Sequence, residues 1–135
     1  MGVKDELYNI LDSSKSNLKD NDIDIDVTFF PASHVETIPS HSLLLNLNGK
    51  SVYYSGDSNK IDISIIQKLK SGAIDMVYQD TCGLDYEGNP HMYLGKLADV
   101  VEPDFRNKIY CMHLDQRFDK NEALKLGFNI AQIHI

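Results

Sequence analysis

The chain has 135 residues, 42% of them hydrophobic and 24% charged, which suits one compact domain with a real core. A formal net charge of −7 disfavours a groove that grips nucleic acid through Lys and Arg alone, although a bound metal can supply local positive charge that the surface lacks. No apolar run nears the roughly 20 residues that cross a bilayer, and no basic-then-apolar leader follows Met1, so a cytoplasmic location is expected.

Val3, Leu7, Ile10 and Leu11 recur at near-helical spacing and predict a helix over 3–15, followed by a polar turn at 19–22. Apolar and acidic residues then alternate in IDIDVTFF (23–30), the pattern of a half-buried strand, with Pro31 ending it. Residues 31–41, with two Pro and two His, read as a loop. Asn48-Gly49 between Leu43–Leu47 and Ser51–Ser55 is a strong hairpin signal, because both residues tolerate positive φ.

Ile61, Ile65, Ile66 and Leu69 follow the helical period, and Ser71-Gly72 stops that helix. A short strand at 74–78 leads into a loop at 79–90. A helix at about 91–101 stops at Glu102-Pro103, a strand follows at 108–112, a helix at about 120–126 ends at Gly127, and a strand covers about 129–135. Strands alternating with helices predict an α/β layered domain. Cys82 and Cys111 stand outside any CxxC pair and read as reduced thiols.

Several polar residues fall where apolar strands end. Asp57 closes VYYSGD, Gln79 and Asp80 close DMVYQD, and His113 closes IYCMH. Ligands of open α/β sheets bind at strand C-termini, and a strand end holds its last side chain rigidly, as a metal ligand requires. Each residue also has a plainer reading: Asp57 as a turn former or helix cap, His113 as a structural histidine. His34 and His41 share one loop, either as surface histidines or as ligands, since His with Asp is a usual zinc set.

HVETIPSHSLLLNLNGKSVYYSGDS resembles the middle of metallo-β-lactamase superfamily hydrolases, particularly the ribonuclease Z and phosphodiesterase branch. The closest motif is Tyr54-Ser-Gly-Asp-Ser58, and the resemblance implies that Asp57 bridges two metals. It favours His34 as the preceding metal ligand, with His41 the rival, because IPSHS also resembles a ligand motif of glyoxalase-type members. DMVYQDTCG resembles the family strand that ends in an acidic residue, giving Asp80 a share in proton handling. HMYLGKLADVV resembles the helix whose histidine donates a proton, a role that would fall on His91, although the usual Thr and Glu are missing here. KIYCMHLDQRF makes His113 the terminal metal ligand and sets Arg117 near substrate phosphate.

The resemblance covers about 25–118 and implies the C-terminal half of an αββα sandwich, a mixed sheet with flanking helices. The family's HxHxDH cluster is absent, and no H-x-H occurs in the chain. Residues 1–135 therefore read as one partial domain, a fragment or split product. The intact protein is expected to be a phosphodiester-cleaving hydrolase acting on a nucleotide-type substrate, using water activated by two divalent ions, zinc first and manganese or iron as alternatives. The chain alone is expected to be metal-free and inactive, because each ion would keep only two of its ligands. It should need its N-terminal half or a second subunit, or associate with itself through an uncovered apolar face. Two other readings stay open: a non-catalytic binding or assembly module that keeps the fold, and an unrelated α/β protein with incidental histidines.

Overall fold

A computed structural model describes residues 14–132. These form one mixed sheet of seven strands whose spatial order equals their chain order. The strands are β1 (Lys15–Asp20), β2 (Ile23–Ala32), β3 (Ser40–Leu47), β4 (Lys50–Tyr54), β5 (Met76–Asp80), β6 (Ile109–Met112) and β7 (Asn129–Ile130). β1 to β4 form an antiparallel meander, and β4 to β7 run parallel. The parallel crossovers carry α1 (Ile63–Ser71), then α2 (Leu94–Val100) with a 3₁₀ segment (Pro103–Lys108), then α3 (Lys120–Lys125).

The α/β layering expected from the sequence is present, with corrections at its ends. The helix expected over 3–15 lies outside the described residues except for its last two positions, where Lys15 already opens β1. That strand has almost no apolar signal and is held by polar pairs. Asn17 Nδ2 donates to Asp24 and Asp26, each at 2.8 Å, and Lys19 pairs with Asp24 at 3.3 Å. The expected turn at 19–22 narrows to Asn21-Asp22.

Pro31 does not end β2, which runs on to Ala32. β1 pairs only as far as Thr28, so Pro31 faces β3 alone, and its missing N–H costs no second ladder bond. β3 accordingly begins at Ser40, inside the expected loop, and His41 is a strand residue opposite Pro31. The 91–101 helix starts late, at Leu94. Residues 92–94 instead lie beside Cys82: Cys82 N donates to Met92 O, and Leu94 N donates to Cys82 O. The last expected strand is seen at Asn129–Ile130, and 133–135 lie outside the described residues.

The hairpin turn is as expected, with Asn48 at φ 52° and Gly49 at φ 78°. α1 is capped by Asp62, which accepts from Ser64 N at 2.7 Å, and closed by Gly72 in the left-handed region.

Among the described residues, helices cover one sheet face only. Tyr53, Val77, Ile109 and Cys111 point to the helical side and pack with Ile65, Ile66 and Leu69 of α1 and Leu94 and Leu97 of α2. Burial there pushes the Cys111 thiol up to about 11. Arg106 fastens the lower crossovers together. Its guanidinium donates to Val101 O (2.9 Å), Leu126 O (3.1 Å) and Ala98 O (2.7 Å) and lies over the Phe128 ring. On the opposite face Leu43, Leu45, Val52, Tyr54, Met76, Tyr78, Tyr110 and Met112 follow each other across β3 to β6, and none is buried. Tyr78 and Tyr110 stack there with ring centroids 5.1 Å apart. Among the described residues, no helix is long and apolar enough to cross a membrane.

Candidate functional site

The C-terminal ends of β4, β5 and β6 are adjacent because the three strands are parallel neighbours. Asp57, Asp80 and His113 leave the sheet at those ends, as the sequence suggested. The Ser55-Gly-Asp-Ser58 segment explains how two carboxylates come together. Ser55 Oγ accepts from Asp80 N at 2.8 Å and donates to Gly56 O at 2.7 Å. Ser58 N donates to Asp80 Oδ2 at 2.9 Å. Gly56 is required between them: its φ is 60°, and a Cβ would stand 2.4 Å from His41 O.

Asp80 is fully buried. Its Oδ2 also accepts from His91 Nδ1 at 2.6 Å. Its Oδ1 has no hydrogen-bond partner, an expensive state for a buried carboxylate oxygen. His113 Nδ1 lies 3.5 Å from it, and the same nitrogen is 3.3 Å from Asp57 Oδ1. Both separations are long for an N–H···O bond. They match the distance of about 3.4 Å between two ligand atoms on a tetrahedral ion with bonds of about 2.1 Å. Asp80, His91 and His113 each offer one ligand atom, all within 4.8 Å of one another.

His113 holds a positive φ of 56°, shared among non-glycine residues described here only with Asn48 of the hairpin turn. Such a conformation costs about 1–3 kcal/mol and persists where its surroundings impose it, characteristically at functional sites. His34 joins the group from the β2–β3 loop. Its Nδ1 is 3.1 Å from Pro90 O. A carbonyl only accepts, so Nδ1 carries the proton and Nε2 is left free. The rings of His34 and His91 are 5.4 Å apart, and those of His91 and His113 are 4.9 Å apart, edge to face. Asn59 N donates to Ser33 O at 2.8 Å, tying the His34 loop to the Asp57 loop.

His34, Asp57, Asp80, His91 and His113 are thus one cluster. His41 is exposed on β3, paired opposite Pro31, and is not among the residues whose ligand atoms converge there. His91 belongs to a loop rather than to a helix. Arg117 lines a pocket of about 440 Å³ that opens beside His91 and His113 and has Leu84, Tyr86 and Leu114 in its walls. Sequence reasoning did not single out the supporting roles of Ser55 and Ser58, or that of Asn89, whose side chain bonds to His91 N, Leu84 O and Cys82 Sγ of its own loop. The two serines flank Asp57 in the quoted motif, which was the available signal.

A mixed sheet with helices on one side and a His/Asp cluster at its parallel strand ends matches the metallo-β-lactamase fold. YhfI from Bacillus subtilis, a metallo-β-lactamase fold protein, superposes with a TM-score of 0.61 at 16% identity over 87% of this chain and 50% of that one. Igni18, a metallo hydrolase from the archaeon Ignicoccus hospitalis KIN4/I, gives 0.55 at 16% identity over 81% and 49%. The chain therefore spans about half the length of these solved structures. No curated protein matches it. The sequence model of one family, the Anti-Pycsar protein Apyc1 family, matches residues 5–133, and the chain belongs to that family.

Proposed function

We propose that this chain is the C-terminal half of a metal-dependent hydrolase that cleaves phosphodiester bonds. The observation that carries this reading is the orphaned, buried Asp80 Oδ1 facing His113 Nδ1, with Asp57 on its other side at ion-like spacing. The donor set of carboxylate and imidazole suits zinc first, and manganese or iron next. His34, Asp57 and His113 would be this half's metal ligands, and Asp80 has the geometry to join them. Divalent ions held there supply Lewis acidity and a nucleophile at neutral pH.

The chain's own residues divide the remaining work. The Asp80–His91 pair fixes the His91 tautomer, so that Nε2 can take or give a proton on the pocket side. Arg117 presents a guanidinium in the same pocket, suited to a phosphodiester oxygen pair. The family's name, Anti-Pycsar, further points this half-enzyme toward action against Pycsar.

The apolar row from Leu43 to Met112, which no described helix covers, and the half-length match support a missing half that supplies the HxHxDH ligands. If the reading frame upstream encodes that motif, the two parts expressed together should bind two ions per site and hydrolyse bis(p-nitrophenyl) phosphate. Asp57→Ala with His113→Ala should abolish both. Two ions retained in that double variant would show that the ligand set is wrong. A second reading, a binding or assembly module without catalysis, is favoured by the absence of any H-x-H in the chain. It predicts no hydrolysis under any pairing.

A further inference from the structure

The segment Asn89-Pro90-His91 touches His34, Asp80 and His113 of the cluster, and its first residue has no role in the chemistry above. We infer that Asn89 is the positioning residue for His91 and, through Pro90, for His34. This rests on the reading of His34 and His91 as site residues, but not on any metal being bound.

Asn89 is nearly buried, and its side-chain amide is fully used. Oδ1 accepts from His91 N at 3.0 Å. Nδ2 donates to Leu84 O at 2.8 Å and to Cys82 Sγ at 3.1 Å. Asn89 N donates to Tyr86 O at 3.2 Å, and Asn59 Nδ2 donates to Asn89 O at 3.3 Å.

The loop is therefore folded around one amide group. The bond to His91 N sets the backbone from which the His91 ring reaches Asp80 Oδ2. The next carbonyl back, Pro90 O, takes the proton of His34 Nδ1 and so sets that ring as well. An amide is needed because one end must accept from an N–H while the other donates to a carbonyl, and no other uncharged side chain of this size except Gln does both. Proline at position 90 keeps φ near −65° between the two histidine partners, removing a torsion that would otherwise let them move apart.

The test is nitrogen-edited NMR of the histidine rings in the metal-free full chain. Wild type should show an Nδ1–H tautomer for both His34 and His91, with the His91 Nδ1 proton far downfield because of its 2.6 Å bond to Asp80. Asn89→Leu keeps the volume and removes both polar ends. It should lose the downfield signal and return His34 and His91 to mixed tautomers. A folded Asn89→Leu with unchanged histidine signals overturns the inference. If Asn89→Leu does not fold, wild-type amide exchange decides. Slow exchange at His91 N–H supports the bond to Asn89, and exchange as fast as at exposed loop amides overturns it. Failure of metal binding would overturn the proposed function while leaving these signals in place.

Discussion

Asp80 and His91, eleven residues apart in the chain, share a hydrogen bond of 2.6 Å although one is fully buried and the other lines a pocket. The buried partner is fixed first: Ser55 holds its backbone and Ser58 its second contact. The imidazole is then oriented by a carboxylate that has no freedom to follow it. Asp80→Asn keeps the size but removes the negative charge beside His91, and its NH2 must take the place either of Oδ2, which accepts from Ser58 N and His91 Nδ1, or of Oδ1, which faces His113. It should lower stability by about 1–3 kcal/mol and, on the proposed function, reduce phosphodiester hydrolysis by the reconstituted protein about 10–100-fold. Calorimetry and a phosphodiester assay on the same preparation check both.

Gly56→Ala tests the turn that brings Asp57 to the site. The added Cβ would meet a backbone oxygen 2.4 Å away, at a φ of 60°. Neither strain can be relieved by a side chain moving aside, so a loss of about 2 kcal/mol or more is expected in urea denaturation. Gly49→Ala, also at positive φ but with open space around it, should cost only about 1 kcal/mol.

Arg106→Lys separates charge from geometry. The guanidinium satisfies three carbonyls, two at the end of α2 and one at the end of α3, and a single ammonium cannot reproduce that fork. A destabilisation of about 1–3 kcal/mol is expected, as large as that of many core truncations. A conservative change at exposed Lys125 should have no measurable effect.

Cys111 gives a pH signature. Its thiol titrates at about 11 in the fold against 9.0 ordinarily, because burial disfavours the thiolate. Between those values the folded chain holds a proton that the unfolded chain has released. Stability is therefore fully present below pH 9 and falls as pH rises toward 11. Tyr53, raised by burial too, adds to the fall at the upper end. Cys111→Ala should flatten the decline across this window in denaturation curves measured at several pH values. An unchanged slope would place the titration elsewhere.

Leu69 and Ile63 contrast the two sides of α1. Leu69→Ala removes a fully buried side chain from the middle of the core and should cost about 2–5 kcal/mol. Ile63 is 66% exposed, so Ile63→Ala should stay within about 0.5 kcal/mol. Equal effects would mean that α1 is rotated relative to the sheet.

Where the sequence was legible, one physical signal dominated. The Asn48-Gly49 turn needs positive φ, the 61–69 helix needs the 3.6 period, and strand ends carrying Asp or His needed only an apolar run to define them. Asp57, Asp80 and His113 could be set side by side because parallel strands align their C-termini. β1 was illegible because a strand built on Asn17–Asp pairs has no apolar alternation. Pro31 misled because its permitted place depends on where a neighbouring strand stops, which is not written locally. His91 looked helical from its neighbours, yet a backbone exchange with Cys82 keeps 92–94 extended. The separation of His34 from His41 also had no local signature: a strand start at Ser40 decided it, and that start is set by pairing with β2.

The sheet's strand order has a consequence for how the molecule comes into being. Each strand docks on the one made just before it, so the growing sheet always offers the next strand a single open edge and no later strand has to wedge between earlier ones. Synthesis can therefore lay the structure down from one side to the other, keeping loop closures short. The histidine at the end of β6 comes off the ribosome after the other members of its cluster. A nascent chain that stops before Met112 therefore has five strands of the sheet and four of the five clustered side chains, and only the next residue, His113, completes the group.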